Sequence, residues 1–98
     1  MEISSHNNIV DIDGNIKSIS DFQNIKSVMD ALITKHRTLV VNVNNSISIT
    51  SSVIGYFNKL VLKDQINLEL NISSKQLMEL FDDLNLTTTF KIKVITSK

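Results

Sequence analysis

The sequence predicts an α/β fold: one domain over residues 1–98, with a mixed, mainly parallel sheet of four to five strands and about three helices packed on it. Three observations predict it. Segments of strand-like and helix-like periodicity alternate in the order β-β-α-β-α-β-α-β, and strands separated by helices pair in parallel through right-handed crossovers. A serine or threonine stands at the head of each helix-like segment, where a hydroxyl can take up an orphan backbone N–H. With 98 residues, 42% hydrophobic and 20% charged, the chain can bury one core but not a second one or a deep catalytic cavity.

The elements follow in order. A short strand at about residues 2–5 pairs with the next across a turn at His6-Asn7-Asn8. That next segment, residues 9–16, puts Val10, Ile12 and Ile16 on one face at period two, with Ile9 on the other. Ser20 and Gln23 have capping-box spacing. They open a helix whose apolar stripe is Phe22, Ile25, Val28, Met29 and Leu32, ending near Thr34-Lys35-His36, where basic groups suit the negative end of the dipole. Thr38–Val43 is β-branched and nearly all apolar, as a strand covered on both faces would be. After the loop Asn44-Asn45-Ser46, Thr50-Ser51-Ser52 begins a second helix with Val53, Ile54, Phe57, Leu60 and Val61 on its apolar side, closing at Asp64-Gln65. Ile66–Leu70 alternates as a strand. Ser73 and Gln76 repeat the capping spacing before a third helix carrying Leu77, Leu80, Phe81 and Leu84. Phe90, Ile92 and Val94 alternate with Lys91 and Lys93 in a last strand with one wet face.

The bulk properties exclude several classes. Ten basic and ten acidic residues leave no net charge, and so no electrostatic footprint for nucleic acid or an anionic membrane. The chain has no cysteine, which removes disulfides, thiol catalysis and cysteine-bound zinc. The segment Met1–His6 lacks the basic and apolar regions of a signal peptide, and no apolar run approaches the ~20 residues of a membrane helix. A cytoplasmic protein is therefore expected, in which the triplets Asn71-Ile72-Ser73 and Asn85-Leu86-Thr87 are not glycosylation sites.

Asp11-Ile12-Asp13-Gly14-Asn15 begins like a calcium loop, but the twelfth position, where a bidentate Glu should close the loop, is Phe22. It reads as a strand edge with a glycine turn. His6 and His36 lie far apart with no ligand partner at metal spacing, and are expected to be solvated. Two isolated glycines, Gly14 and Gly55, build no phosphate loop, and no glycine precedes the serine pair as a nucleophile elbow would require. Asp82 and Asp83, adjacent on a helix, point apart. No nucleophile, base and orienting residue converge, so the chain is expected to be non-enzymatic, with no cofactor and no metal. Thr50-Ser51-Ser52 stands out. It serves as an N-cap, and it also offers hydroxyls on which a phosphate would meet the positive end of a helix dipole and recharge an exposed corner.

Around that corner, Ile49-Thr50-Ser51-Ser52-Val53-Ile54-Gly55 resembles the Asp-Ser-Ser/Thr-Gly-Leu-Gly signature of STAS domains, the family of bacterial anti-sigma factor antagonists. Gly14-Asn15-Ile16 resembles the Gly-Glu-Leu that ends the second strand of that family, and Leu39–Val43 its central strand. The stretch from Asn71-Ile72-Ser73 to Asn85-Leu86, followed by Phe90-Lys91-Ile92, resembles its closing helix and last strand. The likeness spans nearly the whole chain in the right order. It implies a four- or five-stranded sheet with helices packed on it and a signalling role in transcription regulation, in which the unphosphorylated antagonist binds an anti-sigma serine kinase and phosphorylation ends the binding. The matching phosphoacceptor is Ser51, with Ser52 and Thr50 as further candidates, and the implied docking surface runs from Thr50 to Phe57 through Ser51, Ser52, Val53 and Tyr56. Two positions depart from the signature: Thr50 replaces its Asp and Val53 its first Gly. A fold kept with an altered switch also fits a second reading, the small cytosolic subunit that braces the ATPase of a lipid-trafficking ABC transporter. In either reading the chain is a monomer or a weak homodimer that does not insert into a membrane.

Overall fold

The chain starts as a hairpin because two short polar residues, Asn7 and Asn8, separate two strand-forming runs. β1 (Glu2–His6) and β2 (Ile9–Asp13) pair antiparallel, with His6 opposite Ile9. Asn7 takes φ 55° at the first central position of the turn, a conformation asparagine tolerates better than most residues. The computed structural model describes residues 1–95. The remaining elements are α1 (Ile19–Leu32), β3 (Thr38–Asn44), α2 (Ser51–Leu62), β4 (Asn67–Ile72), α3 (Lys75–Asp83) and β5 (Ile92–Val94).

The five strands lie in one sheet in chain order, β1-β2-β3-β4-β5. Every pair after the hairpin is parallel, and each is bridged by one helix. Three crossovers of one hand, all advancing the same way across the sheet, bring all three helices to one face. The burial pattern has the same form. Val10 and Ile12, Leu39, Val41 and Val43, Leu68, Leu70 and Ile72, and Ile92 are buried on the helix side. Their neighbours Asp11, Asp13, Asn42, Asn44, Asn67, Glu69, Asn71 and Lys93 are exposed or half-buried. This corrects the expectation that β3 is covered on both faces. Its odd-numbered residues are buried, while Val40, Asn42 and Asn44 line an open face. That face is laced by side chains: the Asn42 amide donates to Asp11 Oδ1 at 2.9 Å and the Asn71 amide to Asn42 Oδ1 at 2.9 Å.

Two helix starts also differ from expectation. The N-cap of α1 is Ser18, whose Oγ accepts from the Asp21 amide at 3.0 Å, while Asp21 Oδ2 accepts from the Lys17 amide at 3.1 Å; Ser20 is an exposed helical residue. The N-cap of α3 is Ser74, accepting from the Leu77 amide at 3.2 Å, and not Ser73. In each case the serine one or two residues away offers the correct hydroxyl-to-amide spacing for the turn that forms. Leu80 and Leu84 are 37% and 47% exposed and fall outside the core. Phe90 is fully buried, but it sits in the turn before β5 and not in the strand. From there it meets Phe57 and Phe81 edge-on, with ring centres 6.0 and 5.9 Å apart, so one aromatic chain ties α2 and α3 to the last crossover.

Candidate functional site

The Thr50-Ser51-Ser52 corner is held in place by the loop before it. That loop must cross from the end of β3 to the helix layer, and the segment after β2 supplies its hydrogen bonds. The Gly14 amide donates to the Asn44 carbonyl at 2.9 Å, and Gly14 has φ 98°, a conformation open to glycine and costly for other residues. The Asn45 amide side chain donates to Asp13 Oδ1 at 2.7 Å, and the Asn15 side chain accepts from the Ile47 amide at 2.9 Å. Ser46, buried to 1% exposure, donates to the Ser48 carbonyl, and Ser48 Oγ donates to the Ile16 carbonyl at 3.3 Å. Residues 13–16, the latter part of Asp11-Ile12-Asp13-Gly14-Asn15 together with Ile16, thus work as a brace for this loop.

At the end of the brace, Thr50 is the N-cap of α2. Its Oγ1 accepts from the Val53 amide at 3.3 Å, which satisfies one of the orphan N–H groups of the first turn. Ser51 and Ser52 are exposed on the first turn. Val53, Tyr56 and Phe57 are turned inward, at 0%, 5% and 0% exposure. The expected docking residues therefore divide. Ser51 and Ser52 are surface groups with Thr50 half-buried beneath them, whereas Val53, Tyr56 and Phe57 anchor the helix to this chain's own core.

The Tyr56 hydroxyl donates to Asp30 of α1, its ring packs edge-on to Phe22 at 6.3 Å, and the Lys26 ammonium lies 5.7 Å from the ring centre. Lys26 also pairs with Asp30 at 2.6 Å. Burial raises the Tyr56 phenol well above its ordinary pKa, and the adjacent Asp30 carboxylate adds to the effect. Desolvation also pushes the Asp30 carboxyl up, but hydrogen bonds from Lys26 and Tyr56 and the charges of Lys26 and Lys59 outweigh it and hold the carboxyl below its usual value. These groups lock α1 to α2 and so fix the corner from below.

The corner opens onto a shallow dent of about 120 Å³ lined by Lys17, Ser18, Ile19, Phe22, Thr50 and Ser52. Ile19 is 77% exposed at its rim, and Ile47, in the loop before α2, is 60% exposed. Gly55 lies one turn further along the exposed side of α2, and a Cβ placed there would meet nothing within 4 Å. Lys17, Ile19 and Ile47 escaped the sequence reading. The only signal of Ile19 and Ile47 is an apolar residue out of phase with the neighbouring stripe, and Lys17 carries none. His6 lies on β1 and His36 follows α1, far from this corner in the chain. Among the described residues no His, Cys, Asp and Glu cluster could hold a metal ion, and no helix is long and apolar enough to cross a membrane. No protein-family model matches the chain, and no similar curated protein or solved structure was found.

Proposed function

We propose that this chain is a non-enzymatic docking module of the anti-sigma factor antagonist type, which binds a serine-kinase-like regulatory protein through the outer side of α2. One observation supports this reading above the others: Ser51, Ser52 and Gly55 form an exposed, nearly side-chain-free strip at the start of a helix whose other side is locked into the core. A glycine inside a helix costs about 1 kcal/mol relative to alanine. The space around Gly55 gives no internal reason for that cost, whereas a partner approaching the helix backbone closely would. A phosphate on Ser51 would add nearly two negative charges to the middle of such a contact and break it, while the positive end of the α2 dipole would spare the fold.

The test is affinity capture of the native chain with intact-mass measurement, repeated with Ser51→Asp and Gly55→Arg. The reading expects a soluble kinase-like partner that both variants release, with each variant at least as stable as the native chain. Retention of every recovered partner by both variants would sink it. Recovery of a membrane permease with its ATPase, unaffected by Ser51→Asp, would instead favour the transporter-subunit reading, which the capping use of Thr50 in place of an acid also suits.

A further inference from the structure

The two edges of the sheet are built differently. The β5 edge is three residues long and carries Lys91 and Lys93 beside it, the charged blunting that keeps sheet edges from pairing. The β1 edge is five residues long, holds no proline and no lysine, and among the described residues no element lies beyond it. Its sequence, Glu2-Ile3-Ser4-Ser5-His6, has an acid at one end and an imidazole at the other.

The hairpin fixes which backbone groups of β1 are free. A two-residue turn makes His6 and Ile9 a hydrogen-bonded pair, and such pairs alternate along an antiparallel ladder. Ser4 and Glu2 therefore also bond inward to β2, and Ile3 and Ser5 present their N–H and C=O groups outward. A second β1 placed antiparallel about Ser4 would set Ile3 against Ser5 of the second copy, and Ser5 against its Ile3, using all four free groups of each strand. The same register sets Glu2 against His6 of the second copy, twice over. Within one chain the residue opposite Glu2 is Asp13, another acid, so the seam would give Glu2 the hydrogen-bond donor that its own sheet does not. On the helix side, Ile3 and, on the flank of α1 turned away from Tyr56, Val28 and Leu32 are only partly buried, leaving an apolar margin along this edge.

We infer that the β1 edge is a homodimer seam, in which two copies pair antiparallel about Ser4 into one ten-stranded sheet with all helices on one side. The seam is short, so the dimer is weak and concentration-dependent. Sedimentation of the full chain at concentrations up to about 1 mM reads it. Ser5→Pro removes one outward N–H and leaves every β1–β2 bond in place, so it is expected to give a monomer of native thermal stability. Glu2→Lys and His6→Glu are each expected to weaken the dimer about tenfold, since each spoils two cross-strand pairs, and combining them is expected to restore it. Independently of any substitution, amide exchange at Ile3 and Ser5 should slow as concentration rises, while other exposed loop amides stay unchanged. A chain that sediments as a monomer throughout, a dimer that Ser5→Pro leaves intact, or failure of the charge swap to restore association would each overturn the seam.

Discussion

At the residue scale, the two glycines separate two uses of the same freedom. Gly14 is required by its backbone, at φ 98°, and a Cβ there would lie 3.4 Å from the Met1 backbone. At Gly55 φ is not in the left-handed region, and a Cβ would meet nothing within 4 Å among the described residues. Gly14→Ala is therefore expected to lose about 1 kcal/mol or more, and Gly55→Ala to gain about 0.5–1 kcal/mol, by denaturant unfolding. A loss at Gly55 would mean that α2 is strained there and that the glycine needs no closely approaching partner to explain it. The sequence exposed both glycines by their rarity. It could not show which was strained, because φ depends on where Asn44 accepts the Gly14 amide, a contact 30 residues away. Burial of Tyr56 was hidden for the same reason. A tyrosine on the flank of a helix is a plausible surface group until the chain brings Asp30, 26 residues earlier, within reach of its hydroxyl.

At the element scale, helices and strands were readable because each carries its own period and its own start signal. What was misread was which of several neighbouring serines does the capping. Ser18 and Ser20 both precede the apolar stripe of α1, and the capping box pointed to Ser20 with Gln23. Ser18 prevails because Asp21, three residues on, satisfies the Lys17 amide in return and adds a negative charge to the first turn, an electrostatic gain that Gln23 cannot match. That carboxyl is held below its ordinary pKa, chiefly by its hydrogen bond from the Lys17 backbone. Ser18→Ala is thus expected to cost about 1 kcal/mol, and Ser20→Ala to be neutral or slightly stabilising through helix propensity. Equal losses, measured by thermal unfolding, would return the cap to Ser20. The loop from residue 45 to 50 had no local signal at all. Its shape comes from the Asp13–Ile16 segment, more than 30 residues away in the chain, and this is why the brace was legible only as a failed calcium loop.

At the scale of the whole molecule, the sheet is single-sided, and this sets what the protein can use. Helices cover one face over the central strands, so any contact with another protein falls to the outer sides of the helices, to the edges, or to the open face carrying Asn42 and Asn71. Neighbouring residues of β3 measure the asymmetry. Val41 is fully buried beneath the helices, and Val40 is half-buried on the open face between Ile9 and Glu69. Both valines have the same strand propensity, so the difference between their alanine variants isolates the helix layer. Val41→Ala opens a cavity with no solvent access and is expected to cost about 2 kcal/mol or more. Val40→Ala surrenders only cross-strand contacts and is expected to cost under about 1 kcal/mol. Urea unfolding with an unchanged m-value reads both, since neither variant alters how much surface unfolding exposes. A sheet covered on both faces, as the apolar run Leu39–Val43 first suggests, would give two similar losses. A loss at Val40 as large as that at Val41 would mean that the open face is covered in the protein as it exists in solution, by a second copy or a partner, and would put the docking surface on the sheet and not on α2.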